Sequence, residues 1–173
     1  MIGFKKNQLK TQDIVILGIL MGMELILNQI NLGNQLIQFN LVFLVTAVIS
    51  YCYGMVWSVS IAAVLDIVGT LIQGVPYFPG FTISAIVGAL IYSLFFYNHR
   101  ITWIRVILAQ VLISLFVNAF LNTWWVNILY YTPFTALFPM RLVKQLITTP
   151  IQIILIYLLL NSSLLKRLKN PTK

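Results

Sequence analysis

Six apolar runs, separated only by short stretches rich in polar residues, glycine or proline, occupy this chain from residue 13 to residue 165. A bilayer-crossing helix needs about 20 mostly apolar residues, and in lipid its backbone polar groups must be satisfied within the segment itself. The pattern predicts an all-α membrane protein with six transmembrane helices, at about 13–30, 36–52, 55–73, 81–97, 101–129 and 138–165. Only 8% of the 173 residues are charged, against roughly a quarter in a typical soluble domain, so residues 1–173 read as one integral membrane domain with no room for a soluble one.

The breaks between runs have local causes. Asn31, Gly33, Asn34 and Gln35 close the first run, and Tyr53 with Gly54 makes a tight link between the second and third. In the segment from Gly74 to Gly80, Pro76 and Pro79 lack amide donors and fix their own backbone, so no helix continues through it. Asn98, His99 and Arg100 form the next break, and Tyr130, Tyr131, Thr132 and Pro133 close the fifth run, which is long enough to tilt or project beyond the lipid. Pro139 suits the first turn of the last helix. Basic residues precede the first run as they do in a signal peptide. No small-x-small cleavage site follows, however, and more apolar runs come after, so that run is expected to be retained as a helix.

A net charge of +8 would suit a nucleic-acid partner if it formed a patch, but it lies at the ends of the apolar runs. Lys5, Lys6 and Lys10 precede the first run, Arg100 and Arg105 flank the central break, and Lys166, Arg167, Lys169 and Lys173 follow the last. This is the positive-inside pattern, and it places both termini in the cytoplasm, as an even number of spans requires. Of the 11 Lys and Arg residues, only Arg141 and Lys144 depart from it.

Those two, with Glu24 and Asp66, are charges at bilayer depth, each costing at least about 2.5 kcal/mol, so they are expected to face a protein interior. Helical rise places Asp66 roughly 10 Å below the outer surface and the others in the same outer half. Asn118, Asn122 and Trp125 are spaced to share a helix face at that level, and Ala62, Gly69, Thr70 and Gln73 give the Asp66 helix a small surface beside it. Tyr77, Phe78, Tyr130 and Tyr131 are placed to cover such a site, although aromatics gather at membrane interfaces in any case. The carboxylate of Asp66 suits a planar ring with two adjacent N–H donors, while Arg141 and Lys144 suit an anion. The alternative is that Asp66 pairs with Arg141 or Lys144 and only holds helices together; Glu24 with Asn28 can serve the same purpose. Gly18 and Gly22 lie one turn apart on the first helix and would let another helix approach closely, within this chain or outside it.

Catalytic patterns are missing from the sequence. There is no GxxxxGK[ST] phosphate loop, HExxH or GxSxG, and His99 sits in a polar loop beside Arg100. Cys52, the single cysteine, excludes an intrachain disulfide and a cysteine-based metal site. No cofactor or metal is expected, and the chain reads as a non-enzyme.

Three stretches carry a family resemblance: PYFPGFTISAIVGALIY from Pro76 to Tyr92, NAFLNTWW from Asn118 to Trp125, and PMRLVKQLITTP from Pro139 to Pro150. The chain resembles an S component, the substrate-binding subunit of an energy-coupling factor (ECF) vitamin transporter, and is most similar to the folate-specific member. The resemblance implies a six-helix subunit of the bacterial plasma membrane that captures vitamin from outside and docks on a module of one transmembrane coupling protein and two ATPases. It implies a docking face of small residues on the first helix, where Gly18-x-x-x-Gly22 departs from the usual Ala-x-x-x-Ala. A folate ligand would give its pterin edge to Asp66, stack on Trp125, Tyr77 or Phe78, and direct its carboxylates to Arg141 and Lys144. An S component for another vitamin, a structural or assembly protein, and a stand-alone secondary transporter are the other readings.

Overall fold

The computed structural model describes residues 10–29, 41–163 and 165. Helix α1 spans Thr11–Gln29, α2 Val42–Gln73, α3 Pro79–Phe96, α4 Trp103–Leu112, α5 Asn122–Tyr130 and α6 Phe134–Leu160. A π-helical segment, Ile113–Leu121, joins α4 to α5, so that Trp103–Tyr130 forms one continuous rod. The break expected at residues 31–35, the start of the second predicted helix, and the basic residues Lys5, Lys6, Lys166, Arg167, Lys169 and Lys173 lie outside the described residues.

Five helical stretches are long and apolar enough to cross a membrane, one fewer than the six expected. The difference lies in α2, where the second and third predicted helices form one helical stretch interrupted at Gly54, with φ 77° and ψ −173°. That backbone region belongs essentially to glycine. Thr46 and Asp66 nonetheless line the same cavity. In a straight helix those 20 positions would be about 30 Å apart. The chain therefore folds back at Gly54, and α2 has two limbs, residues 42–53 and 55–73. Space enforces the same residue choice, because a Cβ at Gly54 would lie 2.8 Å from the Tyr97 ring.

The remaining boundaries follow from proline and glycine. Pro79 occupies the first turn of α3, where its missing N–H costs nothing, and Gly74 ends α2 in the left-handed conformation with φ 67°. The last helix begins at Phe134, earlier than residue 138 as expected, because Pro133 in extended conformation precedes it. Pro139 consequently lies inside α6.

Two apolar clusters hold the bundle together, and the first limb of α2 stands between them. Val45, Ile49 and Tyr53 pack with Leu17, Ile61 and Leu65, while Ala47, Val48 and Tyr51 pack with Tyr92, Phe96, Val106, Ile156 and Leu160. Alanines with no exposed surface, Ala47, Ala89, Ala109 and Ala119, mark close packing between the helices. The outside is apolar as well: Leu71, Ile104 and Leu146 are 70%, 70% and 75% exposed. A surface of this kind is stable against lipid and not against water.

Candidate functional site

Polar side chains from every helical layer converge on a cavity of about 290 Å³. Helix α1 contributes Glu24 and Asn28, the two limbs of α2 contribute Thr46 and Asp66, and α3 contributes Ser84 and Tyr92. The rod adds Gln110, Asn118 and Asn122, and α6 adds Gln152. Phe43 and Phe81 supply aromatic surface, and small residues leave the space open: a Cβ at Gly88, on the cavity wall, would meet nothing within 4 Å.

Asp66 is oriented by its neighbours. Thr82 Oγ1 lies 2.7 Å from Asp66 Oδ2 and 3.0 Å from the Tyr77 hydroxyl. Thr82 has one proton, which it donates to the carboxylate, so Tyr77 is the donor in the second bond. Thr70 Oγ1 donates back to the Asp66 carbonyl, a bond internal to the helix. Tyr77, 44% exposed, thus fixes the orientation of Thr82 and is not among the lining residues.

Glu24 is only 7% exposed and accepts a bond from Thr46 Oγ1 at 3.0 Å. A second network holds the wall between α3, the rod and α6. Tyr92 Oη donates to Gln110 Oε1 at 2.6 Å, and Gln110 Nε2 donates to Gln152 Oε1, also at 2.6 Å. One turn along the rod, Ser114 Oγ bonds Gln145 at 2.8 Å and Thr149 at 2.5 Å. Buried amides linked in this way fix the helices relative to one another, since breaking one bond leaves a polar group unpaired in a medium without water.

Of the residues singled out from the sequence, Glu24, Asn28, Ala62, Asp66, Asn118 and Asn122 line the cavity. Trp125 does not: its indole Nε1 donates to Ser84 Oγ at 3.1 Å, and its ring packs on Phe78, 5.9 Å between centroids. Three positions of regular α5 separate Asn122, on the cavity, from Trp125, which Ser84 and Phe78 hold instead. Phe78 packs edge-on to Phe81, so Phe78 and Trp125 support the wall from outside. Gly80 allows this approach, since a Cβ there would sit 2.5 Å from both the Phe78 and Trp125 rings. Tyr130 and Tyr131 are exposed and do not line the cavity, Tyr131 being 92% accessible.

Arg141 and Lys144 also lie off the cavity wall and are half-buried on α6. They stand roughly 16 and 12 Å along the helix axis from Gln152. Among the described residues no ion pair joins Asp66 to either, so the pairing that would make these charges mere helix glue is not formed. The described lining contains two carboxylates, Glu24 and Asp66, and no Lys, Arg or His. Reading the sequence for charges missed the lining roles of Thr46, Phe81, Tyr92, Gln110 and Gln152. The signal was present for the two glutamines, as uncharged amides in the middle of apolar runs.

On α1, Gly18 and Gly22 face outward, and a Cβ at either would meet nothing within 4 Å. Exposed Ile19, Met23 and Ile26 flank them, at 60%, 48% and 63% accessibility. Packing against the described residues therefore does not explain the pair.

Comparison with known proteins places the chain among transport proteins. The family model described as "ECF transporter, substrate-specific component" matches residues 12–160. A folate transporter FolT of Leuconostoc mesenteroides is 36% identical over 165 residues, covering 91% of this chain and 89% of the relative. A folate transporter FolT of Clostridium novyi is 34% identical over 151 residues, covering 86% and 87%. A crystal structure of FolT bound with folic acid superposes with a TM-score of 0.80 at 31% identity, covering 87% of this chain and 93% of that one.

Proposed function

The chain belongs to the substrate-specific components of ECF transporters, and from that premise we propose that it captures folate at the outer face of a bacterial plasma membrane and delivers it through an ATP-driven partner module. As a substrate-specific component it is a transporter subunit and not an enzyme. The partner module consists of a transmembrane coupling protein and two ATPases, which supply the phosphate-binding loop this sequence lacks.

The observation that carries the reading is a cavity whose described lining holds two carboxylates and no cation, within a fold that resembles a folic acid-bound FolT. A pterin presents an amino group beside a ring N–H, and the two oxygens of Asp66 accept that edge in one plane. Phe81 offers the ring an aromatic surface on the cavity side, with Phe78 and Trp125 behind it. The glutamate end of folate is anionic and is repelled by the same wall. It extends outward toward Arg141 and Lys144, the two cations on the outer part of α6.

Counting the two limbs of α2 separately gives six membrane passes, with both termini on the cytoplasmic side beside Arg100 and Arg105. Gly18 and Gly22 then form the face that docks on the coupling protein, with lipid around the rest. The purified chain in detergent tests the reading: small molecules retained through purification are identified by mass spectrometry, and folic acid is titrated. Tight folic acid binding that weakens at least tenfold in Asp66→Asn supports it. Tight binding of riboflavin or thiamine with none of folic acid reassigns the chain to a different vitamin.

A further inference from the structure

Three buried side-chain oxygens have no hydrogen-bond partner among the described residues: Glu24 Oε2, Asn122 Oδ1 and Ser93 Oγ. Glu24 and Asn122 both line the cavity, from opposite components of the fold, α1 and the start of α5. Leaving a buried acceptor unpaired costs about 1–3 kcal/mol, and more when it is charged, so native structures rarely tolerate two at one place without a reason.

A purely structural explanation accounts for only half of the Glu24 carboxylate. Thr46 Oγ1 binds Oε1, and the other oxygen has no partner among the described residues, at a residue 93% removed from solvent. Asn122 shows the same asymmetry, since its amide nitrogen reaches Asn118 Oδ1 at 3.4 Å while its own oxygen stays free. Both orphaned atoms are acceptors, so whatever completes them carries donors. Asp66 is already bonded by Thr82 and less buried, which makes Glu24 the deeper of the two carboxylates.

We propose that Glu24 and Asn122 form a second acceptor subsite, which takes N–H donors of the ligand that Asp66 does not reach. The inference rests on the folate reading above and adds to it: the ligand is held by acceptors from α1, α2 and α5 at once. A ligand with donors along a single edge fills only the Asp66 side and leaves Glu24 uncompensated. Selectivity therefore comes from the number and spread of donors and not from the aromatic surface alone.

The test measures apo thermal stability and folic acid affinity of the purified full-length chain in detergent, for the wild type, Glu24→Gln and Asn122→Leu. Glu24→Gln removes a buried, half-satisfied charge at nearly constant volume, so its apo Tm is expected to stay level or rise, while its Kd for folic acid rises by roughly ten- to a hundredfold. Asn122→Leu is expected to weaken binding in the same direction. A merely structural Glu24 gives the reverse, a lower apo Tm with folic acid binding within about twofold of the wild type, and that result overturns the subsite. If Glu24→Gln loses stability and affinity together, or does not fold, Asn122→Leu decides: weakened binding sustains the subsite and wild-type binding removes it. A wild type that binds no folic acid removes the folate reading and this subsite with it, whereas normal wild-type binding with unaffected variants removes the subsite alone.

Discussion

The fold-back at Gly54 brings Thr46 and Asp66 to one cavity, and Gly54→Ala tests it directly. Two costs add. The backbone at φ 77° and ψ −173° is essentially closed to residues with a Cβ, at about 1–3 kcal/mol. The new methyl would also lie 2.8 and 2.9 Å from Cε2 and Cζ of the half-buried Tyr97 ring, an overlap worth up to about a further 3 kcal/mol. The total, about 1–6 kcal/mol, corresponds to a Tm lower by roughly 3–20 °C for a chain of this size. Tryptophan fluorescence in detergent reads the transition, and folic acid affinity is measured on the same samples. Adding Tyr97→Ala removes the overlap and not the backbone strain, so the double variant recovers only part of the loss. A Gly54→Ala protein with unchanged Tm would refute the reasoning. It would mean that residues 42–73 tolerate an ordinary helix, with Thr46 and Asp66 about 30 Å apart.

Three further outcomes are expected. Gly88→Leu places a side chain into the cavity where nothing now stands within 4 Å, so folic acid binding is lost in titration while the apo Tm is unchanged or higher. Gln110→Leu strands the Tyr92 hydroxyl and the Gln152 amide in the interior, lowering stability by about 1–3 kcal/mol in thermal scans and weakening binding through the displaced wall. At Gly18→Leu and Gly22→Leu the added Cβ meets nothing within 4 Å among the described residues, so stability and folic acid binding are retained; co-purification with the coupling protein and ATPases is lost, and retained co-purification would remove that face from docking.

Fold class was legible because the bilayer imposes a one-dimensional rule. Runs of about 20 apolar residues, basic flanks and proline-bearing breaks depend only on local sequence, and they located the segments that became α1, α3, the rod and α6. Gly54 was legible as a link for the same reason, since its backbone requirement is local. Even so, the covalent continuity of its two limbs appears as one interrupted helical stretch rather than two. The start of α6 was placed late because Pro139 suits a first turn, whereas the helix begins directly after the extended Pro133.

The site was legible only in part, and depth is the dividing line. Sequence determined that Glu24, Asp66, Arg141 and Lys144 are costly in lipid and must find protein or ligand, because that penalty belongs to the residue and its distance from the run's end. Which of them share a hollow depends on helix phase and on how separate segments approach. Asn118 and Asn122 reach the cavity, whereas Trp125, three residues further along α5, is held by Ser84 of α3. Contacts between residues 22 to 42 positions apart, such as Thr46 with Glu24, Gln152 with Gln110 and Trp125 with Ser84, have no local signature. They exist only once the helices pack, and that packing leaves Arg141 and Lys144 outside the cavity and Glu24 inside it with one oxygen unsatisfied.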